Sequence, residues 1–377
     1  MQKVCLITSG RADYGILSNL IKKLQLKKNI RLYLIVTGSH LQKKTGNTIN
    51  EIKLDQVRIY KLINFKKSSY QEDITNILSK SSKLLKKIDP KILIILGDRY
   101  EIFACALAAY IEKIPIAHIH GGEVTTGSMD DTFRNCITKM SYLHFAATEK
   151  SKKRILQLGE NQDKVFNIGS LSLENIKKLK TLSKKILEEK YNIKLKNKIA
   201  LISFHPDTLE KKFSLKNIKK ILSSFKKFSE YSFIFTGSNL DKGGEEITEY
   251  FQSYCKKNNF FFINSLGRKD YLSILKLAFV IIGNSSSGII EAPAFKTFTI
   301  NIGNRQNGRE QSKSIFNCNY DQKKFIRILK YIHKLKKKDK YFKNYPYKGH
   351  KNAINKIINI IQKPISERYN YKIFNDI

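Results

Sequence analysis

The chain has 377 residues, 41% of them hydrophobic and 27% charged, and a formal charge of +38. This length suits two doubly wound domains better than one, and the composition excludes a disordered chain. No stretch reaches the roughly eighteen apolar residues of a membrane helix. The opening MQKVCLITSG lacks both the apolar length and the small-residue cleavage site of a secretory leader, so a cytoplasmic protein is expected.

In chain order, the first half alternates strand-like runs (VCLITSG, LYLIVTG, ILIILGD, IPIAHIH, YLHFAAT, KVFNIGS) with helical patterns (ILSNLIKKLQ, DITNILSKSSKLLKKI, EIFACALAAYIEK, DDTFRNCITKMS). The runs are nearly continuously apolar, as in parallel strands buried on both faces, and the βαβ alternation predicts an open parallel sheet with right-handed crossovers. A lysine-rich helical stretch from Leu173 to Lys198 reads as an inter-domain connection. A second series follows: KIALISF, YSFIFTG, FFFINSL, FVIIGNS and FTINIGN. The expected domains are 1–172, joined by a C-terminal helix within 350–377, and 173–349. A ligand is expected in the cleft between the carboxyl ends of the two sheets.

The five cysteines, Cys5, Cys105, Cys136, Cys255 and Cys318, are scattered and never form a CxxC pair, so neither a metal site nor a disulfide framework is expected. The charge raises the question of nucleic acid. Lysines such as Lys22-Lys23 and Lys336 to Lys338 fall opposite Ile and Leu at helical spacing, as solvated faces do. No RNP-like strand, zinc finger or helix-turn-helix pattern accompanies them. A positive field favours encounter with an anionic substrate.

Polar residues gather where the strands finish. ITSGRADYG turns into a helix at Arg11 and is expected to offer backbone N–H groups to an anion. LGDRYE ends a buried strand with Asp98, which either serves a ligand or caps the next helix. AHIHGGEVTTGSMDDTFRN holds His118, His120, Glu123, Asp130, Asp131 and Arg134 around Gly121-Gly122 and Gly127; titratable groups on a glycine-rich loop suit acid–base work. SFHPDTL places His205 at the first strand end of the second half. IIGNSSSGIIEAPAFK is the strongest motif: Ser285 and Ser286 at a helix start suit a diphosphate, and Glu291, further along the helix, suits ribose hydroxyls. INIGNRQNGRE adds Arg305 and Arg309 on a glycine-containing loop read as mobile and phosphate-seeking.

Together GDRYE, AHIHGGE, DDxxRxxITKMSxLH, QLGE followed by VFNIGSL, GNSSSGIIEAP and INIGNRQNGR resemble the hydrolysing UDP-N-acetylglucosamine 2-epimerases. The bacterial branch serving sialic acid capsules is the most similar, in matching order from about Val4 to about Gly308. The resemblance implies a GT-B-like α/β fold of two Rossmann-like domains with UDP in the cleft. It implies loss of the C2 proton and of UDP to a glycal, then hydration to N-acetylmannosamine, without metal or cofactor. Carried over by position, it implies catalytic roles for Asp98, Glu123, Asp130, His205 and His120, and UDP-binding roles for Arg11, Ser285, Ser286, Glu291 and Arg305. A homodimer or homotetramer is expected.

Three positions depart from the family pattern. His120 stands where many relatives have a catalytic glutamate, so His120 or Glu123 takes over its part. Asn135 replaces a histidine, and Lys348-Gly349-His350 replaces a Gly-Asp-Gly region. The nearest rival is the same reaction on UDP-2,4-diacetamido-2,4,6-trideoxyglucose, as for legionaminic-type sugars. A non-hydrolysing epimerase is disfavoured by Arg-Ala-Asp-Tyr after Gly10, a GT-B glycosyltransferase by the acid-rich 117–135 loop. The rival of another class is a non-catalytic, basic nucleic-acid binder.

Overall fold

A run that is apolar at successive positions has no face to give to water, and such runs become parallel strands covered on both sides. The computed structural model describes all residues except 43–47, 66–67, 127, 207–214, 240–242, 336–338, 344, 349–351, 366–371 and 377. Gly127, Gly349, His350 and Lys336 to Lys338, singled out above, lie outside the described residues.

In the first half β1 (Gln2–Thr8), β2 (Ile30–Val36), β3 (Ile59–Leu62), β4 (Ile92–Leu96), β5 (Ile116–Ile119), β6 (Leu143–Ala146) and β7 (Val165–Asn167) alternate with helices. These are α1 (Arg11–Gln25), α2 (Ile49–Leu54), α3 (Tyr70–Ile88), α4 (Tyr100–Ile111), α5 (Asp130–Met140), α6 (Glu149–Gln157) and α7 (Leu171–Lys178). The second half has β8 (Lys198–Ser203), β9 (Tyr231–Thr236), β10 (Phe261–Ile263), β11 (Val280–Gly283), β12 (Phe298–Ile302) and β13 (Ile315–Cys318). Its helices are α8 (Lys184–Tyr191), α9 (Leu215–Leu222), α10 (Gly244–Asn258), α11 (Gly267–Leu277), α12 (Ser286–Ile290) and α13 (Gln322–Lys334), and α14 (Ala353–Gln362) closes the series.

The strands form two wholly parallel sheets, ordered β3-β2-β1-β4-β5-β6-β7 and β10-β9-β8-β11-β12-β13. In each, strand order reverses beside the first strand, between β1 and β4 and between β8 and β11. The crossovers leave on opposite sides there, opening a crevice at the carboxyl ends. Two strands escaped the sequence reading, β3 and β13. Both lie at sheet edges, and their mixed exposure breaks the apolar run that marks the inner strands.

The residues divide into two compact units, one of Met1–Val124, Asp130–Lys177 and Tyr347–Ile377, the other of Thr125–Met129 and Lys178–Pro346. The first unit takes in α14. Ala353, Ile354, Ile357, Ile358 and Ile361 are buried in the same core as Val4, Leu6, Leu17 and Leu34. The N–H of Ile354 donates to Glu174 (3.1 Å). Further on, Lys372 Nζ donates to Glu160 (2.6 Å) and to the carbonyls of Lys139 and Ser141 at the end of α5 (2.7 and 2.6 Å). A cation there opposes the negative end of the helix dipole. No helix among the described residues is long and apolar enough to cross a membrane.

Because Ile357 is fully buried in this core, Ile357→Ala should cost about 2–4 kcal/mol of unfolding free energy in urea titrations. An unchanged midpoint would mean that α14 is not part of the first unit's core.

Candidate active site

The first switch point begins at the turn after β1. Its backbone N–H groups were expected to face an anion, but the chain supplies that anion itself. The Asp13 carboxylate accepts from the N–H groups of Ser9 (2.6 Å), Gly10 (2.8 Å) and Tyr14 (2.7 Å), and from the Thr8 hydroxyl (2.9 Å). A carboxylate in the first turn of a helix satisfies both orphan donors and the dipole. The turn is therefore a closed structural knot, and Arg11 is the first residue of α1 beyond it.

At the end of β4, Gly97 (φ +84°) turns the chain into Asp98. The α5 helix approaches with Asp130 and Asp131 in its first turn and Arg134 one turn on, the three-residue spacing that shares a helix face. Arg134 is only 1% exposed. Its guanidinium donates to the carboxylates of Asp98 and Asp131 and to the carbonyl of Glu123; the Asp131 and Glu123 contacts are 2.8 and 2.6 Å. A buried cation needs this many acceptors to offset its lost hydration. Asp130, read from the sequence as the acid before this arginine, stands in the same first turn of α5 as Asp131, which pairs with Arg134 beside Asp98.

The loop after β5 carries His120 in the left-handed region (φ +65°) and then Glu123, both buried, with His120 Nδ1 3.4 Å from Glu123 Oε1. Beneath them is His118, fully buried on β5. Its Nε2 lies 2.8 Å from the Gly97 carbonyl, which can only accept, so the ring hydrogen is on Nε2 and Nδ1 accepts from the Thr138 hydroxyl (3.2 Å). A side chain on Gly121 would meet that pair at 3.0 Å, which explains the glycine after His120. Asp98, Glu123 and His120 thus belong to one neighbourhood, joined through Arg134 and His118. Thr125–Met129 belong to the second unit, where Thr126 N–H donates to the Asn307 carbonyl (3.2 Å).

In the second unit the switch point lies between β8 and β11. The carboxamide of Asn284 accepts from the His205 N–H (2.7 Å) and donates to the His205 carbonyl (2.8 Å). The Asn284 carbonyl accepts from Gln306 (2.9 Å) and Arg305 (3.4 Å). His205, Asn284 and Arg305 are therefore assembled by one residue, Asn284, which the motif reading passed over.

Of the serines, Ser285 is the N-cap of α12, its hydroxyl accepting from the Ser287 N–H (3.4 Å), and Ser287 is buried. Ser286 is the first helical residue. The helix is five residues long, so Glu291 stands at its C-cap and not further along it. Pro293 opens a tighter 3₁₀ turn there, because its ring excludes a continuing α ladder. The loop after β12, read as mobile, is anchored: Gln306 is 1% exposed and tied to the end of β11.

Acids gathered by a buried arginine at one switch point, and a serine cap, a histidine and an arginine at another, define a class: doubly wound α/β proteins equipped for an anionic ligand and for proton transfer. The family model of the UDP-N-acetylglucosamine 2-epimerases matches residues 22–362, and the chain belongs to that family. It is 41% identical over 321 residues to the Campylobacter jejuni GDP/UDP-N,N'-diacetylbacillosamine 2-epimerase (hydrolyzing), covering 83% of each chain. It is 38% identical to the Escherichia coli polysialic acid biosynthesis protein P7 over an alignment of 393 positions, covering 100% of this chain and 98% of the relative. Among solved structures, UDP-GlcNAc 2-epimerase from Neisseria meningitidis bound to UDP-GlcNAc has the same fold, with a TM-score of 0.83 at 22% identity over 96% of this chain and all of that one. The GT-B-like, two-Rossmann architecture is thereby established.

Burial drives the His118 ring down to about 3, from an ordinary value near 6.5. Between those values the unfolded chain takes up a proton that the folded chain refuses, so stability rises with pH in this window and falls on acidification below about 6.5. His40 and His144, also lowered by burial, act in the same direction. Urea midpoints should drop between pH 7 and pH 5 by the equivalent of about 2 kcal/mol for His118 alone. A flat profile would contradict a buried neutral imidazole.

Proposed function

We propose that the chain is a hydrolysing 2-epimerase converting UDP-N-acetylglucosamine to N-acetylmannosamine and UDP, as for sialic acid-type sugars. The observation that carries the reading is the gathering of Asp98, Asp131 and the Glu123 main chain around Arg134 in a member of the 2-epimerase family. The polysialic acid biosynthesis protein that matches along the whole chain supports the choice of sugar.

The reaction removes a poorly acidic carbon-bound proton at C2 while the C1–O bond breaks and its electron pair leaves with UDP. Water then adds at C1 and a proton returns to C2 on the opposite face. Both halves need carboxyl groups as base and acid, and donors for the departing diphosphate. Asp98, Glu123 with His120, and Asp130 or Asp131 take the acid–base roles. Arg11, Ser285, Ser286, Glu291 and Arg305 hold UDP, with His205 at the diphosphate. The sequence is an elimination and an addition with no net redox change, so it requires no nicotinamide. We place the enzyme in the cytoplasm, where UDP-sugars are made.

A second reading is the same reaction on UDP-2,4-diacetamido-2,4,6-trideoxyglucose. Its support is that the Campylobacter jejuni relative, and one from Legionella pneumophila 35% identical over 320 residues, are named as hydrolysing diacetylbacillosamine 2-epimerases. A pocket that hydrogen-bonds the 4- and 6-hydroxyls would reject this sugar strongly.

NMR in deuterated water with each nucleotide sugar should show a free manno sugar carrying deuterium at C2 for the true substrate. UDP release from neither sugar would overturn the reading. Asp98→Asn should lower kcat by about 10²- to 10⁴-fold, as expected for a lost acid or base, with the Kd for UDP little changed by calorimetry. Arg305→Ala should instead weaken UDP binding, by about 1–3 kcal/mol. The same titration and turnover measurements on Asp130→Asn and Asp131→Asn would separate the two neighbouring acids.

A further inference from the structure

We infer that Asn284 is a positioning residue: it holds the His205 main chain where the Asn239 N–H fixes the ring as a neutral hydrogen-bond donor for the departing diphosphate. This deepens the epimerase reading above and rests on it. Strands β8 and β11 run side by side with Gly283 opposite Ser203, and the ladder ends where the Asn284 N–H donates to the Ser203 carbonyl (3.1 Å). Gly283 (φ +141°) permits the approach, since a Cβ there would meet the Ser203 carbonyl oxygen at 1.9 Å.

Beyond that point the side chain of Asn284 continues the ladder in place of a peptide group. Its Oδ1 takes the His205 N–H and its Nδ2 gives to the His205 carbonyl, so the amide orientation is fixed by donor facing acceptor at both ends. Asn284 is 2% exposed, so water competes little for these bonds.

The imidazole itself is set by a third group. The backbone N–H of Asn239 donates to His205 Nδ1 at 3.2 Å. A backbone N–H can only donate, so Nδ1 holds a lone pair and the ring hydrogen is on Nε2. His205 in this state gives a hydrogen bond from Nε2 and takes none there. That is the chemistry wanted where the C1–O electron pair collects on a phosphate oxygen, whereas the C2 proton passes to a carboxylate. The Asn284 carbonyl also accepts from Arg305 and Gln306, so the proposed donor and the proposed phosphate-binding arginine are referred to one residue.

The test uses the whole 377-residue chain with 15N-labelled histidine. The chain has seven histidines, and the His205 signals are assigned by their loss in His205→Gln. In the wild type the neutral ring of His205 should show an unprotonated Nδ1 and a protonated Nε2 at pH 8. A protonated Nδ1 there would overturn the inference without any variant being needed. In Asn284→Ala the tautomer signature should blur and kcat for UDP release should fall about 10- to 100-fold, while UDP affinity, held through a main-chain carbonyl that the variant keeps, changes less than about threefold. Wild-type kcat and wild-type signals in a folded Asn284→Ala would also overturn it. Turnover of neither UDP-sugar by the wild type would sink the epimerase reading, whereas turnover alongside a protonated Nδ1 would sink only this one.

Discussion

The arrangement of functional groups depends on one topological constraint, the reversal of strand order beside the first strand of each sheet. Parallel strands covered on both faces leave their backbone ends as the only places where polar chemistry meets solvent. At a reversal the flanking crossovers diverge, and the two strand ends there are not roofed by a helix. In this chain those ends are the Ser9–Gly10 turn and Asp98 in one sheet, and His205 and Asn284 in the other. Each of the polar clusters described above is built on one of these pairs.

What fills the two openings differs in physical kind. The first is organised by charge: a guanidinium sunk among carboxylates and a main-chain carbonyl, with a neutral histidine beneath it. Replacing such a cation would leave acids facing one another at low dielectric, so the cluster fixes the geometry of its members as a group. The second opening is organised by neutral hydrogen bonds, with one asparagine side chain standing in for a missing peptide unit. Directional bonds of this sort specify orientation more than they add stability.

The inner strands were legible because their apolar runs stop abruptly at polar residues, and the same abruptness pointed to Asp98, His120, Glu123 and His205. Edge strands such as IYKL and IFNC carry no such contrast. The pairing of Asp131 with Arg134 was legible in their three-residue step on a helix. The internal anion at the first turn was likewise written in the Gly10-Arg11-Ala12-Asp13 spacing, which is that of a helix cap. Asn284 was not legible, because an asparagine after a strand reads as a turn residue and its use depends on which strand lies beside it. The position of Glu291 at a helix end was legible in Pro293, two residues on, whose ring cannot continue an α-helix.

The helix spanning 353–362 carries a consequence for how the protein comes into being. Its isoleucines complete a core whose other walls include Val4, Leu6 and Leu17, so the earlier unit, which otherwise runs to Lys177, emerges from the ribosome lacking one wall. The later unit can finish first, while the earlier one waits from Lys177 to Ala353 with an apolar flank uncovered. Vectorial translation and order of completion thus run in opposite directions, and the interval is one in which a chaperone would have a defined surface to shield.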